Sequence, residues 1–557
     1  MSVESCRKPV ADRRTLRVGP GAALAAAVVA VLLAWLPMAT AQDRPRLLVI
    51  IVVDQFRSDY LTTFAHRWRS GFRRLLDEGA FFHNAAYPYL NTVTCPGHST
   101  IGTGAFPRTH GMVLNDWWHR DEHQSRPCMS DEESSLVSYG RPAEGGEGPK
   151  RLMVNTLGDE LRAAGRDGRV VSVSLKARSA IGLAGHGGTV TWFDETAGVF
   201  VTSRAFAEGP VPAVQSFIAR DPFEADLGRT WTLQGPENTY RFADDAPAER
   251  PLPGWDRKFP HEITGRSATD PRFIERWRQS PFADAYLSRM ATALADSFEL
   301  GRHEATDLLA VGFSALDGVG HRFGPESREV EDLLARLDGR IGELLQHLDE
   351  RVGRDRYVVA LSADHGVAPI PEAEQHGHPP GGRVLIPEVR TRLEQALVEQ
   401  LGPGQHVDAI NYSYIYLAPG VFDRLTHMPA AMQAVEHAVV SIPGVERVVR
   451  SDHLSAASHD PVISAAALNH FRGRSGDLIL IPRPYWILVP RLDGDATTHG
   501  TSRPYDQRVP VILFGAGVKR GRFSQAASPA DIAPTLAMLA GVRMPKAEGR
   551  VLREALR

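Results

Sequence analysis

The sequence predicts an α/β fold, a doubly wound and mostly parallel sheet with helices on both faces. Three observations predict it: short apolar runs that do not alternate, helix-like segments between them, and charged residues directly after the runs. The runs are RLLVIIVV (46–53), RVVSVSL (169–175), DLLAVGFSAL (307–316), RYVVALSA (356–363) and VPVILFG (509–515). Runs of this length, rich in Val, Ile and Leu, suit strands buried on both faces. The helix-like segments are FRRLLDEGA (72–80), VNTLGDELRAAGR (154–166), PFADAYLSRMATALADSFEL (281–300) and EVEDLLARLDGRIGELLQHLDERVG (329–353). Strands alternating with helices imply a parallel sheet.

The residues at the ends of these runs point to a site. The first run ends in Asp54, the second in Lys176 and Arg178, the third in Asp317, and the fourth in Asp364 and His365. One Asp after a strand is an ordinary turn former or helix N-cap. In open α/β sheets, however, ligands bind at the carboxyl ends of strands, and here four strands deliver polar groups to one edge. Two stretches read as insertions. Residues 190–280 are rich in Pro, Gly and aromatics with weak periodicity, as in a cap over the site. Residues 384–475 read as helix (PEVRTRLEQALVEQL), alternating strand (AINYSYIYL), helix (AAMQAVEHAVVSI) and strand (RVVRSDHL), a small α+β subdomain.

The 557 residues are 43% hydrophobic and 23% charged, enough for a large core. A formal net charge of −3 leaves no global basic field for nucleic acid. At the N-terminus, Arg13, Arg14 and Arg17 precede GAALAAAVVAVLLAWL, Pro37 and the small-residue pattern Ala39-Thr40-Ala41. This describes a signal peptide over 1–41, cleaved before Gln42, and hence a periplasmic or secreted protein. An uncleaved anchor is the rival, but the Ala-rich stretch is short for the roughly 20 residues a membrane span needs. Cys6 leaves with that segment; Cys95 and Cys128 could form one bridge, and the sequence leaves their pairing open.

Asp317 and His321 lie four residues apart in ALDGVGHRFGP, on one side of a helical or turn start. SADHG supplies Asp364 and His365, and TTHGTSRPYDQRVP supplies His499. Carboxylates and imidazoles suit Zn²⁺. They divide into Asp317, His321 and His499, and Asp54, Asp364 and His365 with one oxygen from NTVTCPGHSTIGTGAFPRTHGMVLND (91–116). Two metals ~3.5–4 Å apart can clamp the attacking and leaving oxygens of a displacement at phosphorus.

These residues resemble the alkaline phosphatase superfamily, and most of all its branch of PafA-type bacterial alkaline phosphatases and nucleotide pyrophosphatase/phosphodiesterases. The resemblance spans nearly all of 42–557, from VVDQFRSDYL to SPADIAPTLAMLAGVRMP and GRVLREAL. It implies one catalytic domain with two Zn²⁺ and Thr94, in TCPGH, as the nucleophile and a metal ligand. Asn115, Lys176 and Arg178 then contact the phosphoryl oxygens, as in PafA-type monoesterases. A monoester dianion has three non-bridging oxygens, which suits two cationic donors. The expected activity is hydrolysis of small-molecule phosphate monoesters through a phosphothreonine intermediate, by a monomer. A phosphodiesterase or nucleotide pyrophosphatase on the same scaffold is the alternative. Sulfatase chemistry fits less well, since TCPGH lacks the Arg of C/S-x-P-x-R, and a non-catalytic tethered binding protein has no need of such a ligand set. Cys95 is expected as a packed side chain rather than a nucleophile, and His98 and His110 as structural hydrogen-bonding groups.

Overall fold

The computed structural model describes residues 44–557 except 166 and 374–378; the leader expected at 1–41 lies outside the described residues. Among the described residues, the largest sheet has eleven strands. Its middle five are parallel, in the order Tyr357–Ser362, Leu47–Val53, Asp307–Phe313, Val170–Ser174 and Thr189–Asp194. Leu47, Val49, Ile51 and Val53 face one apolar cluster, while Leu48, Ile50 and Val52 face the other. Helices Gly71–Glu78, Pro281–Ser297 and Arg328–Arg351 cover the first; Thr94–Thr103, Ala177–Ala184 and Ile532–Ala540 cover the second. Each fully buried Leu, Ile or Val stabilises by about 1.5–3 kcal/mol relative to exposure. Because both faces need this, the strands read as continuous apolar runs.

Local signals fix the helix ends. The Ser327 hydroxyl accepts from Val330 N at the start of Arg328–Arg351, whose first turn carries Glu329 and Glu331. Thr156 and Asp159 form a capping box ahead of Leu157–Ala163. Asp338, on the long helix, accepts from the backbone N–H groups of Arg69, Ser70 and Phe72 at 2.7, 2.8 and 2.6 Å, and so anchors the start of Gly71–Glu78.

The structure corrects the sequence reading in three places. Val511–Gly515, expected with the parallel strands, runs antiparallel to Tyr357–Ser362. Val199–Ser203 and Ser130–Ser138, on the opposite flank, are also antiparallel to their neighbours. Apolar pattern encodes burial, not chain direction. Next, the region expected as a cap from 190 begins with Thr189–Asp194 and Val199–Ser203, both strands of the main sheet. The remainder packs Phe217, Phe223, Trp231, Trp255 and Trp277 into the same apolar cluster as Leu47 and Val49. Finally, AINYSYIYL is not one strand but the hairpin Val407–Asn411 and Tyr414–Leu417, turning at Tyr412, whose φ is +52°. A four-stranded antiparallel sheet joins this hairpin to Leu478–Pro482 and Val445–Arg450, so the unit reaches past residue 475. Helices Ile386–Leu401 and Pro429–Val440 cover one face of it. Tyr414 and Tyr416 belong to the cluster under the main sheet. Among the described residues, no helix is long and apolar enough to cross a membrane.

Candidate active site

Strand register builds the site. Val52 lies opposite both Gly312 and Ser362, and Gly312 lies opposite Ser174. Two residues further along, Asp54, Ser314, Asp364 and Lys176 therefore emerge in one row at the carboxyl edge. Asp317 and His321 come next on the helix Ala315–Phe323, where their i,i+4 spacing brings Nε2 of the ring to 3.2 Å from Asp317 Oδ1. Beneath that helix, Asp284 Oδ1 accepts from Ala315 N at 3.2 Å. His499 Nε2 lies 3.7 Å from Asp317 Oδ1, and the His365 and His499 rings stack with centroids 3.4 Å apart.

The ligand-bearing atoms of Asp317, His365 and His499 all lie within 4.8 Å of one another, as do those of Asp54, His98 and Asp364. The compact groups thus differ from the expected division: His365 sits against Asp317 and His499 while staying 3.2 Å from Asp364 Oδ2. Imidazole orientation is set from behind. Nδ1 of His321 donates to Thr497 O at 2.8 Å, Nδ1 of His365 to Gly366 O at 2.9 Å, and Nδ1 of His499 to Thr92 O at 2.9 Å. A carbonyl only accepts, so each Nδ1 carries the proton and each Nε2 turns toward the carboxylates, the tautomer a metal requires.

Electrostatics point the same way. Burial and the facing Asp364 push the Asp54 carboxyl up to about 6. Burial opposes charge on His321, but Asp317 outweighs it and lifts the ring to about 9. Burial, with His365 and His321 alongside, drives His499 well below the usual imidazole range. Asp54 Oδ1, Asp364 Oδ2 and His365 Nε2 are fully buried and find no hydrogen-bond partner among the described residues. Orphaned buried carboxylate oxygens are costly, and divalent cations satisfy them. The donor set fits a metal.

Thr94 opens the helix Thr94–Thr103 and is 1% exposed. The sequence TCPGHSTIGT is a poor helix former, with Pro96, two Gly and three Thr, so outside contacts must hold it. His98 Nδ1 donates to Thr94 O at 3.0 Å and lies 3.4 Å from Asp364 Oδ2, while its Nε2 lies 3.6 Å from Asp54 Oδ1. His98 is therefore more than the structural group expected from sequence, because it ties the Thr94 backbone to both carboxylates. At Gly97, an added Cβ would stand 2.3 Å from Asp364 O and 2.6 Å from Asp364 Cβ, so only glycine lets the helix approach this closely. His110 matches its expected role: Met112 N donates to its Nδ1 at 3.1 Å, and its Nε2 lies 3.1 Å from Thr100 Oγ1.

Cys95 is bonded to Cys128, and Asn115 closes the same corner. Cys95 N donates to Asn115 Oδ1 and Cys128 N donates to Asn115 O, both at 2.8 Å. The disulfide closes a segment of 33 residues, for which chain entropy predicts about 3–4 kcal/mol of stabilisation. Replacing both cysteines by serine is expected to lower unfolding free energy by that amount; a urea midpoint equal to wild type would refute it.

Lys176 is buried, with Nζ 2.6 Å from both Asp54 Oδ2 and Asp317 Oδ2, so one cation spans the two carboxylate groups. Arg178 Nε is buried and finds no hydrogen-bond partner among the described residues. Sequence reasoning missed Gln55. Its backbone N donates to Asp364 Oδ1 at 3.0 Å and its Nε2 to Asp317 Oδ1 at 2.8 Å. Its φ is +66°, uncommon for a non-glycine residue. The one available signal was adjacency to Asp54.

Carboxylates and imidazoles at the carboxyl edge of a parallel sheet, beside a threonine at a helix N-terminus, define a metal-capable hydrolytic site on an α/β sheet. The chain belongs to the type I phosphodiesterase / nucleotide pyrophosphatase family, whose model matches residues 48–506. It is 31% identical to the alkaline phosphatase PafA of Elizabethkingia meningoseptica over 93% of this chain and 95% of that protein. It is 32% identical to the alkaline phosphatase PhoV of Synechococcus elongatus over 92% and 93%. A crystal structure of PafA superimposes with a TM-score of 0.85 at 31% identity, covering 92% of this chain and 99% of that one. Murine ectonucleotide pyrophosphatase / phosphodiesterase 5 shares the fold, with a TM-score of 0.53 at 13% identity over 92% and 100%.

Proposed function

We propose that the protein is a periplasmic or secreted, zinc-dependent alkaline phosphatase that hydrolyses small phosphate monoesters as a monomer. The observation that carries this reading is Lys176, a buried cation 2.6 Å from carboxylates of both groups, with Arg178 close behind it in the chain. A monoester dianion offers more charge to such a pair than a diester does. The full-length likeness to proteins named alkaline phosphatase supports the same choice. The Cys95–Cys128 bridge supports an oxidising compartment, in keeping with the leader read at 1–41.

In this reading Asp317, His321 and His499 hold one Zn²⁺, and Asp54, Asp364, His365 and Thr94 hold another. Bound there, the two cations supply the positive charge that acidifies a hydroxyl and neutralises the phosphoryl group. The remaining work falls to the chain. Thr94 stands at the positive end of its helix, which favours an anionic oxygen. Its Oγ attacks phosphorus in line, the alcohol departs, and water then cleaves the phosphothreonine. Lys176, Arg178 and the Asn115 amide stabilise charge on the non-bridging oxygens. Asn115 Oδ1 is committed to Cys95 N, which leaves its amide N–H groups as the donors.

Rates for p-nitrophenyl phosphate and its bis ester, compared side by side with metal analysis, test the proposal. Faster turnover of the monoester is expected, together with bound zinc; a clear preference for the bis ester moves the protein to the phosphodiesterase reading. Gln55 joins one carboxylate of each group, so Gln55→Ala is expected to lower metal affinity or kcat/KM about 10–100-fold, the usual cost of losing an outer partner. Chelator titration checks it: a variant that holds zinc and turns over like wild type shows that Gln55 positions nothing.

A further inference from the structure

We propose that the cavity between the helices Pro281–Ser297 and Arg328–Arg351 is a second anion site, separate from the metal-capable groups, that takes a phosphate group. The cavity measures about 340 Å³, at the lower end of the range of small-molecule sites. Arg289 from the first helix, Arg336 and Arg340 from the second, and Arg229 from the segment 229–234 line it together. Gln234 adds a carboxamide, and no acidic residue is part of the lining.

Each guanidinium is already held in place. Arg289 donates from Nε and Nη2 to the Asp221 carboxylate at 2.6 and 3.1 Å. Arg336 donates from Nε to Asp332 Oδ1 at 2.6 Å and from Nη2 to Thr232 O at 2.5 Å. Arg229 donates from Nη1 to Asp226 Oδ1 at 2.8 Å, and its Cζ lies 4.1 Å from the centre of the Phe282 ring, a cation–π contact. Arg340 Nη1 lies 2.8 Å from Glu343 Oε2. These contacts leave Nη1 of Arg289 and Arg336, and Nε and Nη2 of Arg229 and Arg340, with no acceptor among the described residues.

The four carboxylates balance the guanidiniums at long range, so attraction is confined to contact distance, where hydrogen bonds decide. A planar guanidinium with its position already fixed loses little freedom on gripping a phosphate, whose oxygens accept from several donors at once. A cation meets no carboxylate in the lining. A neutral apolar molecule would strip water from four charges without replacing its hydrogen bonds.

Gly339 supplies an independent observation. It sits inside the helix Arg328–Arg351, where glycine weakens a helix relative to alanine, yet a Cβ there would meet nothing within 4 Å. Three residues on, Gly342 differs: a Cβ would stand 1.8 Å from Ser70 Oγ, so packing requires glycine there. No packing contact requires it at 339, where its effect is to leave the cavity open between Arg336 and Arg340. Pro281 and Ala285, one turn apart on the facing helix, are also small and make an apolar patch in the lining. A phosphate carried on a small organic body is therefore admitted as well as the free ion.

The test is isothermal titration of the holoenzyme with inorganic phosphate and with phenylphosphonate, at constant ionic strength so that screening is equal. Anion held at the catalytic edge is common to every variant, so the readout is the difference between them. Gly339→Glu places a carboxylate among the guanidiniums and is expected to remove about one bound anion per chain. Arg340→Ala is expected to weaken the same component about tenfold, and Gly339→Ala to keep it while raising the melting temperature. kcat/KM for p-nitrophenyl phosphate is expected to stay within about twofold in all three. Tighter binding of phenylphosphonate in that component assigns the site to organic phosphates, and tighter binding of inorganic phosphate to the free ion; both uphold it. Equal stoichiometry and affinity in wild type and a folded Gly339→Glu overturn the site and leave the monoesterase reading untouched. Should Gly339→Glu fail to fold, unchanged binding in Arg340→Ala overturns it alone.

Discussion

Thr94→Ala is expected to cut kcat for p-nitrophenyl phosphate about 10³-fold or more, the scale seen when a covalent nucleophile is removed. The fold should survive. Thr94 is the first helical residue, its side chain caps nothing, and the helix is held by the Cys95–Cys128 bond and by His98. Alanine keeps Cβ and loses a hydroxyl and a methyl group. Thr94→Ser restores the hydroxyl and should recover much of the rate. Rapid quenching with labelled substrate supplies the decisive comparison: label on protein is expected for wild type and Thr94→Ser and absent for Thr94→Ala. Unchanged turnover in the alanine variant would transfer the attack to another group.

Lys176→Ala is expected to lower monoester kcat/KM about 10²–10³-fold, equivalent to about 3–4 kcal/mol of transition-state stabilisation. Hydrolysis of the bis ester should change far less, because a diester brings less charge to that position. This ratio separates a contact with the phosphoryl oxygens from a structural role. Lys176 also neutralises Asp54 and Asp317, at 2.6 Å from each, so its removal leaves two buried carboxylates facing each other. Zinc content and melting temperature should be recorded for the same preparations. Equal losses on both esters, with zinc retained, would make Lys176 an element of the carboxylate framework and not a determinant of monoester preference.

The sheet and most of the site were legible because both depend on local pattern. Leu47–Val53 and Asp307–Phe313 announce themselves as runs buried on two faces, with Asp54 and Asp317 just beyond them. Asp317 and His321 share a helix face, which a spacing of four already implies. What escaped depends on contacts remote in sequence. Gln55 meets Asp364 across 309 residues, and nothing in VVDQF announces that bond. His98 looked structural because its approach to Asp54 and Asp364 exists only once the helix is docked. Thr189–Asp194 and Val199–Ser203 were hidden in a segment rich in Gly and aromatics, although their neighbours make them strands. Chain direction in Val511–Gly515 is likewise a property of connections, not composition.

The bare backbone at Gly97 has a consequence for anyone who would re-engineer this enzyme. With Asp364 Cα 2.7 Å from where a methyl group would begin, the TCPGH segment cannot be diversified freely. A library randomised there should return glycine at 97 in nearly every active clone, and alanine should be as damaging as larger residues.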